Sequence, residues 1–169
     1  MRSAPYKEQR IGIFIDIQNL YHSAKNLYGA KVNYRELIKC LAVGRKLIRV
    51  VGYVVKSETA LGEASFFEAL TKAGVELRIK DLQIFPGGVK KADWDVGMAV
   101  DAIKMARSLD AIILATGDGD FIPLVEYLKW GMGTEVEVAA FSRSASAKLK
   151  EAADFFINIE EIPRVLLKK

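Results

Sequence analysis

The sequence predicts an α/β fold, a mainly parallel sheet with helices packed on both faces. Two observations lead there. Apolar runs of strand length alternate with segments of helical periodicity along the chain. Most of those runs are near-continuously apolar, as strands covered on both faces require.

Taken in order, "RIGIFID" (10–16) reads as a buried strand. In "QNLYHSAKNLYG" (18–29), Leu20, Tyr21, Ala24, Leu27 and Tyr28 fall at helical spacing, and Gly29 is a natural stop. "NYRELIKCLA" (33–42) is a second helix, with Asn33 as N-cap and Glu36 in the capping-box position. "KLIRVVGYVVK" (46–56) is a Val- and Ile-rich strand, "LGEASFFEALTKAG" (61–74) an amphipathic helix closed by Gly74, and "VELRIK" (75–80) a strand. "PGGVKKADW" (86–94) is a loop by its Pro-Gly-Gly start. There follow a helix (95–108), the strand "DAIILAT" (110–116), a helix (121–131) with Pro123 in its first turn, the strand "EVEVAAF" (135–141), a helix (144–154), the strand "FFINI" (155–159) and a short tail helix in "EEIPRVLLKK".

At 169 residues, 51% hydrophobic and 27% charged, the chain fits one domain over 1–169, with its core at about 10–159 and a short N-terminal arm. The net charge of +4 permits a polyanionic partner such as nucleic acid. The single cysteine, Cys40, excludes an internal disulfide and reads as a core residue of its helix. No run approaches the ~18 apolar residues of a membrane span, and "MRSAPYKEQR" lacks a signal-peptide core; no membrane and a cytoplasmic location are the expectations. There is no P-loop and no GxGxxG, which argues against nucleotide-cofactor enzymes.

Carboxylates stand where open α/β sheets gather ligands, beyond the carboxyl ends of the strands. Asp16 closes the first strand, Asp118 and Asp120 follow "DAIILAT" in "ATGDGDF", and Asp95 opens the next helix back. Any one of them has an ordinary use as a helix cap. Capping does not explain two aspartates in "GDGD", nor all the acids falling on one side of the sheet. Clustered carboxylates repel, and a hard cation relieves the repulsion. Mg²⁺ and Mn²⁺ favour such oxygen ligands and activate water for attack on a phosphodiester.

"IFIDIQNL" (13–20), "KKADWDVGMAVDAIKMA" (90–106) and "ATGDGDFIPLVEYLKWGMGTEVEVAAF" (115–141) together resemble the NYN domain, in the LabA/DUF88 branch of the PIN-like nucleases. The resemblance spans residues 10 to about 159. Its most specific block is Thr116-Gly117-Asp118-Gly119-Asp120-Phe121, where the family's serine is replaced by Thr116 and the hydroxyl is kept. It implies a Rossmann-like (PIN-like) fold, a Mg²⁺ or Mn²⁺ site and ribonuclease activity. Carried over, Asp16 matches the first-strand acid, Asn19 the asparagine after it, and Asp95 the acid of the lysine-containing block. Lys90 or Lys91 fills the lysine position. Asp93 offers a competing alignment, and Asp95 is preferred because "VGMAV" follows it directly. Asp101 also matches a family acid. At about 100° per residue it lies about 120° round the helix from Asp95, which suits a supporting acid or a partner of Lys104 better than a ligand.

Around that set, Asn19 can orient water or phosphate, and Thr116 can orient Asp118 or close its strand. Lys90, Lys91, Ser142 and Arg143 fall at the expected active edge and can meet phosphates; Ser57 and Glu58 fall there too. Trp94 is the first choice for stacking a base, ahead of Tyr21, Trp130 and Phe121, the last expected in the core. His22, the sole histidine, reads as a surface residue. Lys31, Arg35 and Lys39 read as a solvated face, and Arg45, Lys46, Arg49, Lys148 and Lys150 complete a dispersed basic set.

The expected function is metal-dependent endoribonuclease, with Asp16, Asp95, Asp118 and Asp120 holding one or two ions. The expected partner is single-stranded RNA, and a homodimer is allowed. Two alternatives stand beside it: a non-catalytic RNA-binding or regulatory module, and a Mg²⁺-dependent phosphatase. A haloacid-dehalogenase pattern would need a second aspartate where "DIQ" has glutamine.

Overall fold

The computed structural model describes residues 6–56, 63–88 and 93–168, together with the backbone of 90–91. Ser57, Glu58 and the side chains of Lys90 and Lys91 lie outside the described residues. The elements run β1 (Arg10–Asp16), α1 (Ile17–Tyr28), β2 (Lys31–Val32), α2 (Tyr34–Ala42), β3 (Lys46–Lys56), α3 (Glu63–Lys72), β4 (Glu76–Asp81), β5 (Gln83–Ile84) and β6 (Lys90–Lys91). They continue α4 (Asp95–Ala106), β7 (Ala111–Ala115), a 3₁₀ turn (Gly119–Phe121), α5 (Ile122–Glu126), a π turn (Tyr127–Gly131), β8 (Glu135–Ala140), α6 (Ala147–Ala152), β9 (Phe155–Asn158), a 3₁₀ turn (Ile159–Glu161) and β10 (Leu166–Leu167).

The central sheet has six strands in the order β4-β3-β1-β7-β8-β9, every neighbouring pair parallel. Alternate side chains of the central strands feed two cores. Ile11, Ile13, Ile15 and Ile113 face the layer that holds α1, α2 and Leu70 of α3. Phe14, Ile112 and Leu114 face the layer of α4, α5 and α6. Both central strands are therefore apolar on each face, which is why they read as continuous runs. Truncating the fully buried Phe14 to alanine would remove about 3–5 kcal/mol.

From β1 the chain builds outward through β3 to β4, then returns to β7 and builds the other way. The winding thus reverses between β1 and β7, and the two loops leaving these strands part over a crevice. Local signals place the helices as the sequence indicates. Asn33 Oδ1 accepts from Glu36 N at 3.3 Å, and Gly29 ends α1 at φ 58 with its N–H on the carbonyls of Ala24 and Lys25.

Two expectations change. The tail is not a helix: after the 3₁₀ turn, β10 pairs antiparallel with β2, Leu166 opposite Val32. Pro163 supplies no N–H and biases Ile162 away from helical geometry, while Arg164 takes φ 60, so a helix cannot propagate. The loop 86–94 contains β6, which pairs antiparallel with β5 to make a small hairpin.

Arg45 is not part of a solvated basic surface. Its guanidinium is buried, donating to Glu137 Oε1 at 3.1 Å, to Gln9 Oε1 at 2.9 Å and to Leu41 O at 2.8 Å. It ties the turn after α2 to β8. Arg49 pairs with Glu76 on the neighbouring strand. Among the described residues no helix is long and apolar enough to cross a membrane.

Candidate metal centre

Asp95, Asp118 and Asp120 each present a carboxylate oxygen, and the three oxygens lie within 4.8 Å of one another. Two segments supply them. Asp95 is the first residue of α4, where a negative charge also complements the helix dipole. Asp118 and Asp120 flank Gly119 in the turn that leaves β7, with Asp118 Oδ1 accepting from Asp120 N at 2.9 Å. The glycines between them have a steric cause. A Cβ on Gly117 would sit 3.0 Å from Ala145 Cα, and one on Gly119 would sit 3.0 Å from Ser146 Oγ. The loop before α6 presses against this turn, and Ser146 N bonds Gly117 O at 2.9 Å.

Asp16 stands beside the triple rather than within it. Its Oδ1 accepts from Asn19 N at 3.2 Å, capping α1, and its Oδ2 accepts from Thr116 Oγ1 at 3.0 Å. Asn19 returns the link, Oδ1 accepting from Gly117 N at 2.9 Å. Thr116, fully buried, also accepts from Asp118 N at 3.2 Å. These bonds lock the junction of β1 and α1 to the loop after β7.

The electrostatics are those of crowded acids. Burial, then the charges of Asp118, Asp93, Asp16 and Asp120, push the Asp95 carboxyl up to about 6. Asp16 is also raised, chiefly by burial, against the lowering bonds from Asn19 and Thr116. The donor set is all carboxylate oxygen, which fits a hard divalent cation, and positive charge would relieve the pressure on Asp95.

A cleft of about 350 Å³ opens beside the acids, lined by Asp16, Asp93, Asp95 and Asp118, by Trp94 and Tyr53, and by the outer side of α1. Asp93 lines it without joining the triple: Oδ1 accepts from Asp95 N at 3.2 Å and its carbonyl accepts from Lys80 Nζ at 2.8 Å. Asp101 lies away from the acids. It is 7% exposed and accepts at Oδ2 from both Tyr53 Oη and Arg78 Nη1, each at 2.8 Å. Its partner is Arg78, not Lys104, and burial together with this bond raises the Tyr53 phenol.

Trp94 lines the cleft half-buried, its ring held in place. Its Nε1 donates to Val54 O at 2.9 Å, Lys80 Nζ stands 4.6 Å from the ring centroid, and a Cβ on Gly97 would come within 2.6 Å of the ring. Ser142 is engaged by Lys150, whose Nζ donates to its carbonyl and hydroxyl at 2.6 and 2.8 Å. Arg143 lies over the Tyr28 ring at 5.4 Å and faces Glu160 at 3.6 Å. Phe121 is in the core, and Trp130 is 83% exposed but outside the cleft. Sequence reasoning missed Gln18, His22, Ser23, Asn26, Leu27, Tyr53 and Ser144 as cleft residues. The polar α1 set had a signal: these positions recur at three- and four-residue spacing opposite Leu20 and Ala24.

A doubly wound parallel sheet with an acidic triple at its switch point describes a Rossmann-like α/β protein with a candidate metal centre. Residues 10–160 match the NYN domain model, and the chain belongs to the NYN domain family. It is 24% identical over 164 residues to the low amplitude and bright protein LabA of Synechococcus elongatus, covering 93% of this chain and 87% of that protein. The crystal structure of VPA0982, a protein of unknown function from Vibrio parahaemolyticus, superposes with a TM-score of 0.87 at 29% identity, covering 99% of this chain and all of the other, 100%.

Proposed function

We propose that this protein is a Mg²⁺- or Mn²⁺-dependent ribonuclease that hydrolyses phosphodiester bonds in single-stranded RNA. The observation that carries this reading is the triple of carboxylate oxygens from Asp95, Asp118 and Asp120 at the switch point. Membership of the NYN family, whose resemblance to PIN-like nucleases implies this chemistry, supports it.

Asp95, Asp118 and Asp120 would hold the ion. When bound, it supplies a Lewis acid for the phosphoryl oxygens and acidifies water. The residues of the chain set the geometry. Thr116 fixes Asp16 through its hydroxyl and Asp118 through its backbone. Asn19 holds the Gly117 amide and so keeps α1 against the acidic turn. Asp16, Asp95 and Asp118 make one wall of the cleft anionic, a wall that phosphate approaches only with a cation present. Lys90 and Lys91, on β6, are proposed to meet the RNA backbone.

The test is cleavage of a labelled unstructured RNA in Mn²⁺, comparing wild type with Asp118→Asn. The expected result is cleavage by wild type, abolished by EDTA and reduced at least a hundredfold in the variant. Binding of RNA without cleavage by either protein would replace the enzyme with a binding module. Release of phosphate from monoesters with RNA left intact would replace it with a phosphatase.

A further inference from the structure

We propose that the outer side of α1 is a nucleoside subsite, which binds an unpaired ribonucleoside next to the scissile phosphate by reading its base edge. The proposal rests on the ribonuclease reading above and adds what holds the substrate and by which atoms.

The cleft has two chemically different walls. One carries the acids. The other is a stripe on α1 made of Gln18, Asn19, His22, Ser23, Asn26 and Leu27, with Ser144 bonded to its edge at Ser23. Apart from Leu27, every member of the stripe is an amide, an imidazole or a hydroxyl, and among the described residues no lysine or arginine lines the cleft. Such a wall lacks the charge for clamping phosphate. It offers paired donors and acceptors in fixed positions, which is the equipment for base edges and the ribose 2′-hydroxyl.

Three of these side chains are available. Gln18, His22 and Asn26 are exposed, and none makes a side-chain hydrogen bond to another described residue. Two others set the wall in place: Asn19 through Gly117 N, and Ser23 by accepting from Ser144 Oγ at 3.0 Å. Residues 18, 22 and 26 are successive turns of one helix, spaced about 6 Å apart along the axis, so they present a row rather than a point. A cleft of about 350 Å³ suits one nucleotide-sized group and not a duplex. Trp94 also lines the cleft, held in place by its bond to Val54 O and by Lys80 over its ring. Recognition at this wall is therefore chiefly by hydrogen bonding.

Binding is measured by fluorescence anisotropy with labelled oligo(A), oligo(C) and oligo(U) of equal length in Ca²⁺, and cleavage of the same oligomers in Mn²⁺. Wild type is expected to rank the three homopolymers unequally. His22→Ala and Asn26→Ala, both on an exposed helix face where alanine favours the helix, should weaken the preferred homopolymer roughly tenfold and flatten the ranking. Ser108→Ala, at the opposite rim of the sheet, should keep the wild-type ranking. Melting curves matched to wild type separate this from misfolding. Variants that bind all three oligomers with wild-type affinity and ranking overturn the subsite, as does a wild type that binds none. A ranking that collapses in the variants while no oligomer is cut upholds the subsite and removes the ribonuclease reading.

Discussion

The hydroxyl of Thr116 donates to Asp16 Oδ2 at 3.0 Å, joining two residues 100 positions apart in the chain. The same oxygen accepts the Asp118 amide, so one buried atom serves both acid-bearing loops. Thr116→Val keeps the shape and removes that atom. It should cost about 1–3 kcal/mol in urea unfolding, because the half-buried Asp118 amide loses its acceptor. Thr116→Ser should restore most of the loss. Equal stability of the valine and serine variants would show that the link carries no weight.

Divalent cations should stabilise the fold through the triple. At a Mn²⁺ concentration of about 100 times Kd the gain is about 2.7 kcal/mol, read as a rise in Tm. Asp95→Asn removes one of the three oxygens' charges and should cut that rise sharply while the metal-free protein keeps its fold. A Tm rise of the same size in the variant would place the ion elsewhere.

In EDTA the stability should fall as pH rises. The Asp95 carboxyl is raised from 3.8 to about 6 in the folded protein, so the native state holds a proton that the unfolded chain releases earlier. Its contribution is complete below about pH 3.8 and is lost as pH passes through about 6. Asp16 acts in the same direction. Denaturation midpoints measured from pH 4 to pH 7 should show the decline, and Asp95→Asn should flatten it, with a flat wild-type profile refuting the crowding.

Asp101→Asn separates structural acid from metal-binding acid. Removing its charge leaves Arg78 and Tyr53 facing a neutral amide in a nearly buried position, at a cost of about 1–3 kcal/mol. Calorimetric Mn²⁺ affinity should stay within about twofold of wild type, since the side chain touches none of the three acids. A tenfold loss of affinity would move Asp101 into the centre.

What the sequence reveals here depends on the range of the cause. Strands β1 and β7 were legible because burial on both faces leaves only apolar residues, and α2 because Asn33 and Glu36 are local capping signals. The acids were legible as a set because each lies at the carboxyl end of a strand or the start of a helix. That Asp16 is bonded to Thr116 was not, since the hydroxyl lies 100 residues away. Asp101's partner was misjudged for a similar reason: helical spacing offers Lys104, and only the sheet brings Arg78 alongside. The tail misled because its apolar spacing is helical while Pro163 and the strand-like β2 decide otherwise. His22 reads from sequence as a solitary surface residue, and only the fold puts that exposed face on the wall of a cleft.

The pairing of β10 with β2 ties the far end of the polypeptide to the link between α1 and α2, reinforced by Asn33 N on Val165 O at 2.6 Å. The helix that carries the neutral wall is thereby buckled shut by residues that touch no part of the cleft. A protease nick after the exposed Arg164 would undo that buckle and slacken α1, while the acids of α4 and of the turn after β7 kept their grip. Recognition and chemistry would then fail separately, from a single cut remote from both.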